Sequence, residues 1–395
     1  AWLMAVCFKG LSDKETAYLT QSFIDSGDIL DFSSVSDFIA DKHSTGGVGD
    51  KVTLVLIPIL ATLGIYTAKL SGRGLGFTGG TIDKLESIPN FKVELSNEEF
   101  LKQIKDIKVA ISAQSANLTP ADGKIYALRD VTATVDNKSL ICASVVSKKI
   151  ASGATSIVLD VKYGSGAFLK TAKEASELAS LMVSTGKLLN KNIDTILSAM
   201  EQPLGFAVGN SLEVIESIEF LKGNYREDLY EITLEIAAKT LMNCKKANSF
   251  EVAKDMVDNA IKSGCALDKF REIIIAQHGD KNVIDDYSLF KIGKNTIDII
   301  SNEDGYIKEL DALKIAHSAK LLGAGRDKKT DPINYGAGIR LHKKIADKVQ
   351  KGAILATLYF DDVSKERIDQ AIEEANLAYK IADCKVQKPV LIYKG

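Results

Sequence analysis

The segment from His43 to Gly49 contains three glycines and two hydroxyl side chains, and Lys42 directly precedes it. Glycines let backbone N–H groups turn inward and approach an anion closely. The sequence predicts a helix from about Asp50 to Leu63, whose N-terminus would face the same place. This combination favours a phosphate-binding loop. It lacks the Gly-Lys-Ser/Thr spacing of nucleotide-binding P-loops, and a glycine-rich turn without any ligand stays open as the alternative.

A second glycine-rich segment runs from Ser71 to Gly80, after a predicted strand at 66–70 and before a predicted helix. It contains Gly-x-Gly but not the full dinucleotide-binding fingerprint, so alone it is weak support for a site. Two such loops can line one crevice, because the carboxyl ends of neighbouring parallel strands meet at one edge of a sheet. We expect Thr78 and Asp83 to be structural and to cap the helix that follows.

Two further predicted helices carry side chains that could contact one planar ligand. Tyr126 and Arg129 are three residues apart, and Ser144 and Lys148 are four apart, so each pair shares a helix face. Together they offer an aromatic ring, a guanidinium, a hydroxyl and an ammonium group. The alternative is a pair of solvated faces with a salt bridge to Asp130, which spacing alone favours.

The composition is that of an ordinary globular protein. The 395 residues are 46% hydrophobic and 26% charged, with a net charge of −2, so the basic excess of a nucleic-acid-binding surface is absent. The longest apolar stretch, 52–63, is too short to span a bilayer, and no signal peptide precedes it. Five widely separated cysteines without a Cys-x-x-Cys pair predict reduced thiols and a cytoplasmic protein.

Helices and strands alternate along most of the chain. A capping box of Ser12 and Glu15 opens a first helix, and residues 210–280 are predicted to be mostly helical. Short buried strands are predicted at 109–113, 156–161 and 193–200. The alternation predicts an α/β fold with a central, mostly parallel or mixed sheet covered by helices.

The pattern changes after about Asn302, where glycines divide the chain into short β segments. The run 344–355 resembles the hairpin of a lipoyl-type barrel-sandwich. We therefore predict a small C-terminal α+β subdomain of barrel-sandwich type.

Five segments together resemble thymidine and pyrimidine-nucleoside phosphorylases, the class II nucleoside phosphorylases. They are residues 42–50, 71–89, 126–135, 144–150 and 202–213. The resemblance covers essentially the whole chain, and 71–87 is highly specific to this family. It implies phosphorolysis of thymidine, uridine and deoxyuridine to the free base and (deoxy)ribose 1-phosphate, in nucleoside salvage. Inorganic phosphate would be the co-substrate, without an organic cofactor.

The same resemblance implies a small helical domain and a larger α/β domain that closes on the base by a hinge motion. We expect residues 1–33 to be the first, N-terminally incomplete part of the helical domain, and 121–152 to return to it. The α/β domain would comprise 34–120 and 153–300, followed by the C-terminal domain at 301–395. The resemblance also implies a homodimer formed through the helical domain.

The site residues implied by the resemblance fall into two groups. Phosphate would be held by Lys42, Ser44, Thr53, Lys69, Ser71 and Thr81. The pyrimidine would be held by Tyr126, Arg129, Ser144 and Lys148. The catalytic residues would be His43, Arg129 and Lys148. Arg129 and Lys148 would stabilise negative charge on the departing base, and His43 could donate a proton to its O2, since the unperturbed pKa of histidine lies near neutrality.

The family also has a potassium site, which would use Gly49, Leu204, Ala207 and Glu216 here. Position 51 is Lys, where many bacterial members have Thr. An ammonium group can replace the ion and pair with Glu216, so bound potassium is doubtful.

Three alternatives to a broad-specificity phosphorylase stay open. A strict thymidine phosphorylase shares every motif above, although 202–210 is closer to the broad-specificity type. A phosphoribosyltransferase of the anthranilate type would share the architecture but use a pyrophosphorylated ribose and magnesium, and the segment 126–148 speaks against it. The third is a catalytically impaired scaffold or binding protein, which the intact basic and hydroxyl residues disfavour.

Overall fold

The computed structural model describes residues 1–74, 79–115, 117–328 and 330–394. The elements up to residue 163 are α1 (Trp2–Lys9), α2 (Asp13–Ile24), β1 (Ile39–Ser44), α3 (Val52–Thr62), β2 (Tyr66–Ser71), α4 (Thr81–Glu86), α5 (Asn97–Ile107), β3 (Val109–Ala113), α6 (Pro120–Val131), α7 (Lys138–Ala151) and β4 (Ser156–Tyr163). The next are α8 (Ala172–Leu188), β5 (Asn192–Ala199), β6 (Ala207–Val208), α9 (Asn210–Leu221), α10 (Glu227–Asn243), α11 (Phe250–Lys262) and α12 (Cys265–Ala276). The last are β7 (Asn295–Ile300), β8 (Gly305–Leu310), α13 (Ala312–Leu321), β9 (Gly338–Leu341), β10 (Lys348–Val349), β11 (Ile354–Phe360), α14 (Lys365–Ala378), β12 (Tyr379–Ala382) and β13 (Ile392–Tyr393).

The central sheet has six strands in the order β13-β5-β4-β1-β2-β3. β1 to β5 are parallel, and β13 pairs with β5 in the antiparallel direction. The predicted α/β class with a mostly parallel, mixed sheet is thereby confirmed. The chain adds β2 and β3 on one side of β1 and β4 and β5 on the other, so the order reverses at β1. Ligands of open α/β sheets bind beside the carboxyl ends of the strands at such a reversal.

Helices cover both faces of this sheet. α3 is buried along almost its whole length because it is apolar at nearly every position and packs between the sheet and α10 and α12. On the other face, α7 and α8 pack on β4, and α2 packs on both of these helices. α2 begins with the predicted capping box of Ser12 and Glu15. Within the residues described, no helix is both long and apolar enough to cross a membrane.

The last third of the chain, together with β6, forms two smaller antiparallel sheets with α13 and α14 packed together beside them. One sheet has the order β10-β8-β12 and the other β6-β9-β11-β7. The hairpin predicted at 344–355 is wrong, because β10 and β11 belong to different sheets. Antiparallel β sheets and helices do occur here, as the predicted α+β subdomain requires.

The sequence analysis did not predict a strand at the position of β1. Asp41 and Lys42 are charged, so the strand lacks the apolar alternation that predicts one, and Lys42 and His43 belong to it rather than to a loop. Asp83 lies in the first turn of α4 but does not cap it. Its Oδ2 instead accepts a hydrogen bond from the backbone N of Gly74 at 2.6 Å. Thr78 lies outside the described residues.

Candidate active site

The two glycine-rich segments follow β1 and β2, which are neighbours in the central sheet. Their carboxyl ends border a cavity of about 200 Å³. The cavity is lined by all six residues expected to hold phosphate, Lys42, Ser44, Thr53, Lys69, Ser71 and Thr81, and by His43. The prediction that both loops line one crevice is confirmed.

Glycine is required where the backbones of these segments approach other chain segments. Gly49 has a φ of +68°, and a Cβ there would lie 2.6 Å from the carbonyl oxygen of Leu204. A Cβ on Gly80 would lie 2.0 Å from the backbone N of Gly74. Neither position can take a larger residue without moving the backbone beside the cavity.

A buried group of charges lies beneath the cavity, between β1, β2 and α7. The carboxylate of Asp41 binds the ammonium of Lys69 at 3.1 Å and that of Lys149 at 2.9 Å. Two lysines thus share one carboxylate, and all three side chains are buried. Burial lowers the pKa of Lys69 to about 7, although Asp41 opposes the shift. A bound anion would favour the charged form of Lys69, so the cluster suits an anionic ligand.

Asp50 lies on the other side of the cavity. Burial alone would raise its pKa, but Lys42, Lys162 and Lys84 outweigh burial and hold the pKa far below the ordinary range. The ammonium of Lys42 is 3.4 Å from Asp50 Oδ1, which is a long contact for an ion pair. The ammonium of Lys42 therefore has only weak pairing on this side and can turn to an anion.

His43 is the histidine of the cavity wall. Burial lowers its pKa well below 6.5, and the positive charges of Lys149, Lys69 and Lys42 lower it further. The unperturbed pKa that motivated proton donation therefore does not apply, because the imidazole is neutral near pH 7. A neutral imidazole still has one N–H to donate as a hydrogen bond.

The residues expected to hold the base form a second cluster, between α6 and α7. Ser144 Oγ donates to Asp122 Oδ2 at 3.1 Å, and the ammonium of Lys148 lies 2.6 Å from the same oxygen. Lys148 also donates to Ser144 Oγ at 2.9 Å. The ring of Tyr126 lies beside the cations, with its centroid 5.6 Å from the guanidinium carbon of Arg129 and 6.0 Å from Lys148 Nζ.

Arg129 is buried, and its described hydrogen bonds go to backbone carbonyl groups. Its guanidinium donates to the carbonyl oxygens of Thr134, Val135 and Leu140 at 3.2, 2.6 and 3.2 Å. The alternative of a solvated helix face with a salt bridge to Asp130 is therefore wrong for this residue. Arg129 stabilises the connection between α6 and α7, and any contact that it makes with a base stays a prediction.

Lys51 occupies the place where the family resemblance implied a potassium ligand. Its ammonium donates to the carbonyl oxygens of Leu204 at 2.7 Å and Ala207 at 3.0 Å. It also lies 2.7 Å from Glu216 Oε2. Burial alone would lower the pKa of Lys51, but Glu216 and Glu213 outweigh it and raise the pKa.

Sequence reasoning missed Asp41, Lys149 and Asp122. Asp41 directly precedes Lys42, and Lys149 directly follows Lys148. Their position next to candidate residues in the sequence was the available signal. Asp122 precedes Tyr126 by one helical turn, a spacing that places both on one face of α6.

Two family models match the chain. The model described as "Glycosyl transferase family, a/b domain" matches residues 36–267. The model described as "Pyrimidine nucleoside phosphorylase C-terminal domain" matches residues 306–382.

Similar curated proteins match over the full length. The pyrimidine-nucleoside phosphorylases of Geobacillus stearothermophilus and Bacillus subtilis are each 47% identical over 393 residues, which is 100% of this chain and 90% of each relative. That of Staphylococcus epidermidis is 45% identical over 391 residues, covering 99% of this chain and 89% of its own.

Among solved structures, the anthranilate phosphoribosyltransferase of Thermus thermophilus matches with a TM-score of 0.57 over 70% of this chain and 88% of its own. That of Saccharomyces cerevisiae matches with a TM-score of 0.51 over 68% and 80%. At 15% and 14% sequence identity these likenesses concern the fold alone.

Proposed function

This chain belongs to the pyrimidine nucleoside phosphorylase family, and on that premise we propose that it cleaves pyrimidine nucleosides with inorganic phosphate. The products are the free base and the pentose 1-phosphate. The enzyme is a pentosyltransferase, and phosphate is its co-substrate. The observation that carries this function is the cavity between β1 and β2, where six candidate phosphate ligands and His43 meet.

Phosphate is the nucleophile, so the reaction needs no carboxylate nucleophile as in a retaining glycosidase. The enzyme must hold phosphate in line with the sugar C1′ while positive charge develops on the sugar ring. Lys42 and Lys69 would fix its charge, while Ser44, Ser71 and Thr81 would orient its oxygens by hydrogen bonds. The excess of buried lysines over Asp41 supports this assignment.

The departing pyrimidine carries negative charge that must be stabilised as the glycosidic bond breaks. Lys148 is the cation best placed for this role, because a quarter of its side chain is exposed while Ser144 and Asp122 hold it. We assign the contact with the base to Ser144 and Lys148, with Tyr126 packing against it. Arg129 would contribute through the N–H groups that do not bind backbone carbonyl oxygens and through the electrostatic effect of its positive charge on the base.

His43 would act as a neutral hydrogen-bond donor to O2 of the base. Its lowered pKa supports this role over proton transfer from an imidazolium. A hydrogen bond from an N–H group stabilises a developing negative charge without requiring that a proton be transferred.

We propose that the ammonium of Lys51 replaces potassium in this enzyme. Three oxygen atoms, from Leu204, Ala207 and Glu216, surround the ammonium within 3.0 Å. Removing this charge would leave a carboxylate and two carbonyl groups without their cation, which is costly in a buried site. Lys51 therefore supplies the charge that a bound monovalent ion would otherwise supply.

A homodimer and a cytoplasmic location complete the proposal. Large apolar side chains are exposed on three helices of the expected helical domain. They are Trp2, Met4, Phe8, Tyr18, Leu128 and Val131. A concentration of exposed apolar side chains in one region of the surface favours a protein–protein contact there. All five cysteines are free thiols, which is usual in the reducing cytoplasm. Sedimentation of Phe8→Glu against the unmodified chain tests the dimer, since the charge should shift it toward monomer.

The experiment that tests the function is an assay of base release from uridine, thymidine and deoxyuridine, each with and without phosphate. We expect release only with phosphate, together with formation of the pentose 1-phosphate. A parallel assay with anthranilate, phosphoribosyl pyrophosphate and magnesium tests the transferase alternative. Formation of phosphoribosyl anthranilate and pyrophosphate in the second assay, without base release in the first, would overturn the proposal. Comparing the rates with the three nucleosides separates broad from strict specificity.

A further inference from the structure

Asp122 lies at the centre of the cluster that we assign to the base. Its side chain is fully buried on α6, and one oxygen, Oδ2, contacts both Ser144 and Lys148. The other oxygen, Oδ1, is buried and has no hydrogen-bond partner within the described part of the chain. Most buried polar atoms have a hydrogen-bond partner, so an unpaired carboxylate oxygen needs an explanation. The contacts of Oδ2 with two residues assigned to the base place Asp122 within the candidate site.

The hydrogen bonds of this cluster have a fixed direction. An ionised carboxylate can only accept, so the hydroxyl hydrogen of Ser144 must point to Asp122. Lys148 can only donate, and it uses one lone pair of Ser144 Oγ. Ser144 thus has one lone pair and no hydrogen left for a ligand. Toward any base, Ser144 can accept and Lys148 can donate.

We propose that Asp122 is a positioning residue that fixes this polarity and thereby selects pyrimidines with an imide edge. The inference rests on the proposed function and specifies its substrate class. Uracil and thymine present an N3–H donor beside a carbonyl acceptor, which complements an acceptor from Ser144 and a donor from Lys148. Cytosine presents an unprotonated N3, and its lone pair would face the lone pair of Ser144.

Without Asp122, the hydroxyl of Ser144 would be free to rotate and to donate to an unprotonated N3. The selectivity would then weaken even if binding of the sugar and phosphate were unchanged. An asparagine at 122 would keep the polarity, because its amide oxygen can accept from Ser144 and Lys148 while its NH2 group faces away. Alanine removes the acceptor altogether. Comparing the two variants therefore shows whether selectivity depends on an oxygen acceptor at position 122 or on the negative charge of the carboxylate.

The test compares kcat/KM for phosphorolysis of uridine and cytidine in the unmodified enzyme, Asp122→Ala and Asp122→Asn. We expect the uridine-to-cytidine ratio to fall at least about tenfold in Asp122→Ala and to stay within about threefold in Asp122→Asn, as expected when polar complementarity sets selectivity. Asp25→Ala is the matched control. It removes a carboxylate from the end of α2, which accepts from Gln21, and should leave the ratio unchanged.

If Asp122→Ala is too slow to assay, binding of free uracil and cytosine to the same variants is measured by thermal shift and calorimetry. The ratio of uracil affinity to cytosine affinity should then change as predicted for the ratio of kcat/KM. An unchanged ratio in Asp122→Ala, or an equal loss in the Ala and Asn variants, would overturn the role of Asp122. Failure of the proposed function looks different, since the unmodified enzyme would then release no base from uridine with phosphate.

Discussion

Lys148 and Lys149 are consecutive on α7, and their ammonium groups bind carboxylates in different clusters of the site. Lys148 binds Asp122 on α6, within the cluster assigned to the base, at 2.6 Å. Lys149 binds Asp41 on β1, beneath the phosphate cavity, at 2.9 Å. One turn of a single helix therefore contacts both halves of the site. The distance between phosphate and base depends on how α7 packs against the central sheet.

Lys42→Ala should raise the KM for phosphate strongly, by at least about tenfold, because a charged hydrogen bond contributes roughly 1.5–3 kcal/mol. The KM for the nucleoside should change much less. Initial rates over a phosphate series at saturating uridine measure the effect. Lys187→Ala, an exposed lysine of α8, is the control. Unchanged phosphate kinetics would show that Lys42 does not bind the anion.

Lys148→Ala and Arg129→Ala should each lower turnover by at least about tenfold, since each removes a charge near the departing base. Both changes should also lower the free energy of unfolding, for different reasons. Arg129→Ala removes the guanidinium donor from the carbonyl oxygens of Thr134, Val135 and Leu140. Lys148→Ala leaves the buried carboxylate of Asp122 without the cation that pairs with it. Urea titrations beside the kinetics test both points, and normal turnover in both variants would remove these residues from the mechanism.

Binding of phosphate should take up a proton near pH 8. The pKa of Lys69 is about 7, so its amine is mostly neutral at that pH. A bound dianion favours the charged form and raises this pKa, which draws a proton from the buffer. Calorimetry of phosphate binding in two buffers with different ionisation enthalpies measures the uptake. Lys69→Met should abolish it, and a binding enthalpy that is independent of the buffer would contradict the prediction.

His43 should make the protein less stable as the pH falls below about 6.5. Its folded pKa lies well below that of the unfolded chain, so the unfolded state binds more protons between the two values. The free energy of unfolding therefore rises with pH between the folded and unfolded pKa values of His43, and it falls as the pH is lowered through this range. Urea unfolding at pH 7.5, 6.5 and 5.5 should show a weaker dependence in His43→Gln. His317→Gln, outside the cavity lining, is the control, and equal slopes in His43→Gln and the parent would refute the assignment.

Turnover of the unmodified enzyme should be nearly the same in potassium and in a large organic cation. Lys51→Thr should be less stable and should regain activity or stability when potassium is added, because the oxygens of Leu204, Ala207 and Glu216 stay in place. Activity and thermal unfolding are measured across a potassium series, with sodium and tetramethylammonium for comparison. An anomalous-scattering peak from rubidium beside Glu216 in the unmodified protein would disprove replacement.

Much of the central sheet could be predicted from sequence because its strands are short apolar runs between helices. β3, β4 and β5 lie where these runs predicted them, within a few residues. β1 was hard to recognise because two of its buried residues, Asp41 and Lys42, are charged. Ion pairs accompany their burial, so the strand lacks a continuous apolar run. The hairpin at 344–355 failed because a turn signal shows where a chain reverses but not which strand each arm joins.

The sequence predicted which residues belong to the candidate site better than it predicted how they are arranged. All the expected phosphate ligands meet in one cavity, since both glycine-rich segments carry a strong local signal. Asp122 and Lys149 have no such signal, because an isolated carboxylate or lysine gains meaning only from its partner across the fold. The direction of the hydrogen bonds around Ser144 likewise depends on Asp122, which lies on a different helix.

Two short strands, β6 and β13, pair with strands that are distant from them in the sequence. β6, which belongs to the middle of the chain, pairs with β9 in a C-terminal sheet, while β13 returns to pair with β5. The C-terminal third is consequently no detachable module. A chain cut near residue 300 would lose the strand that covers the edge of β5, and uncovered edges recruit other chains. Recombination among relatives should therefore exchange the two parts together.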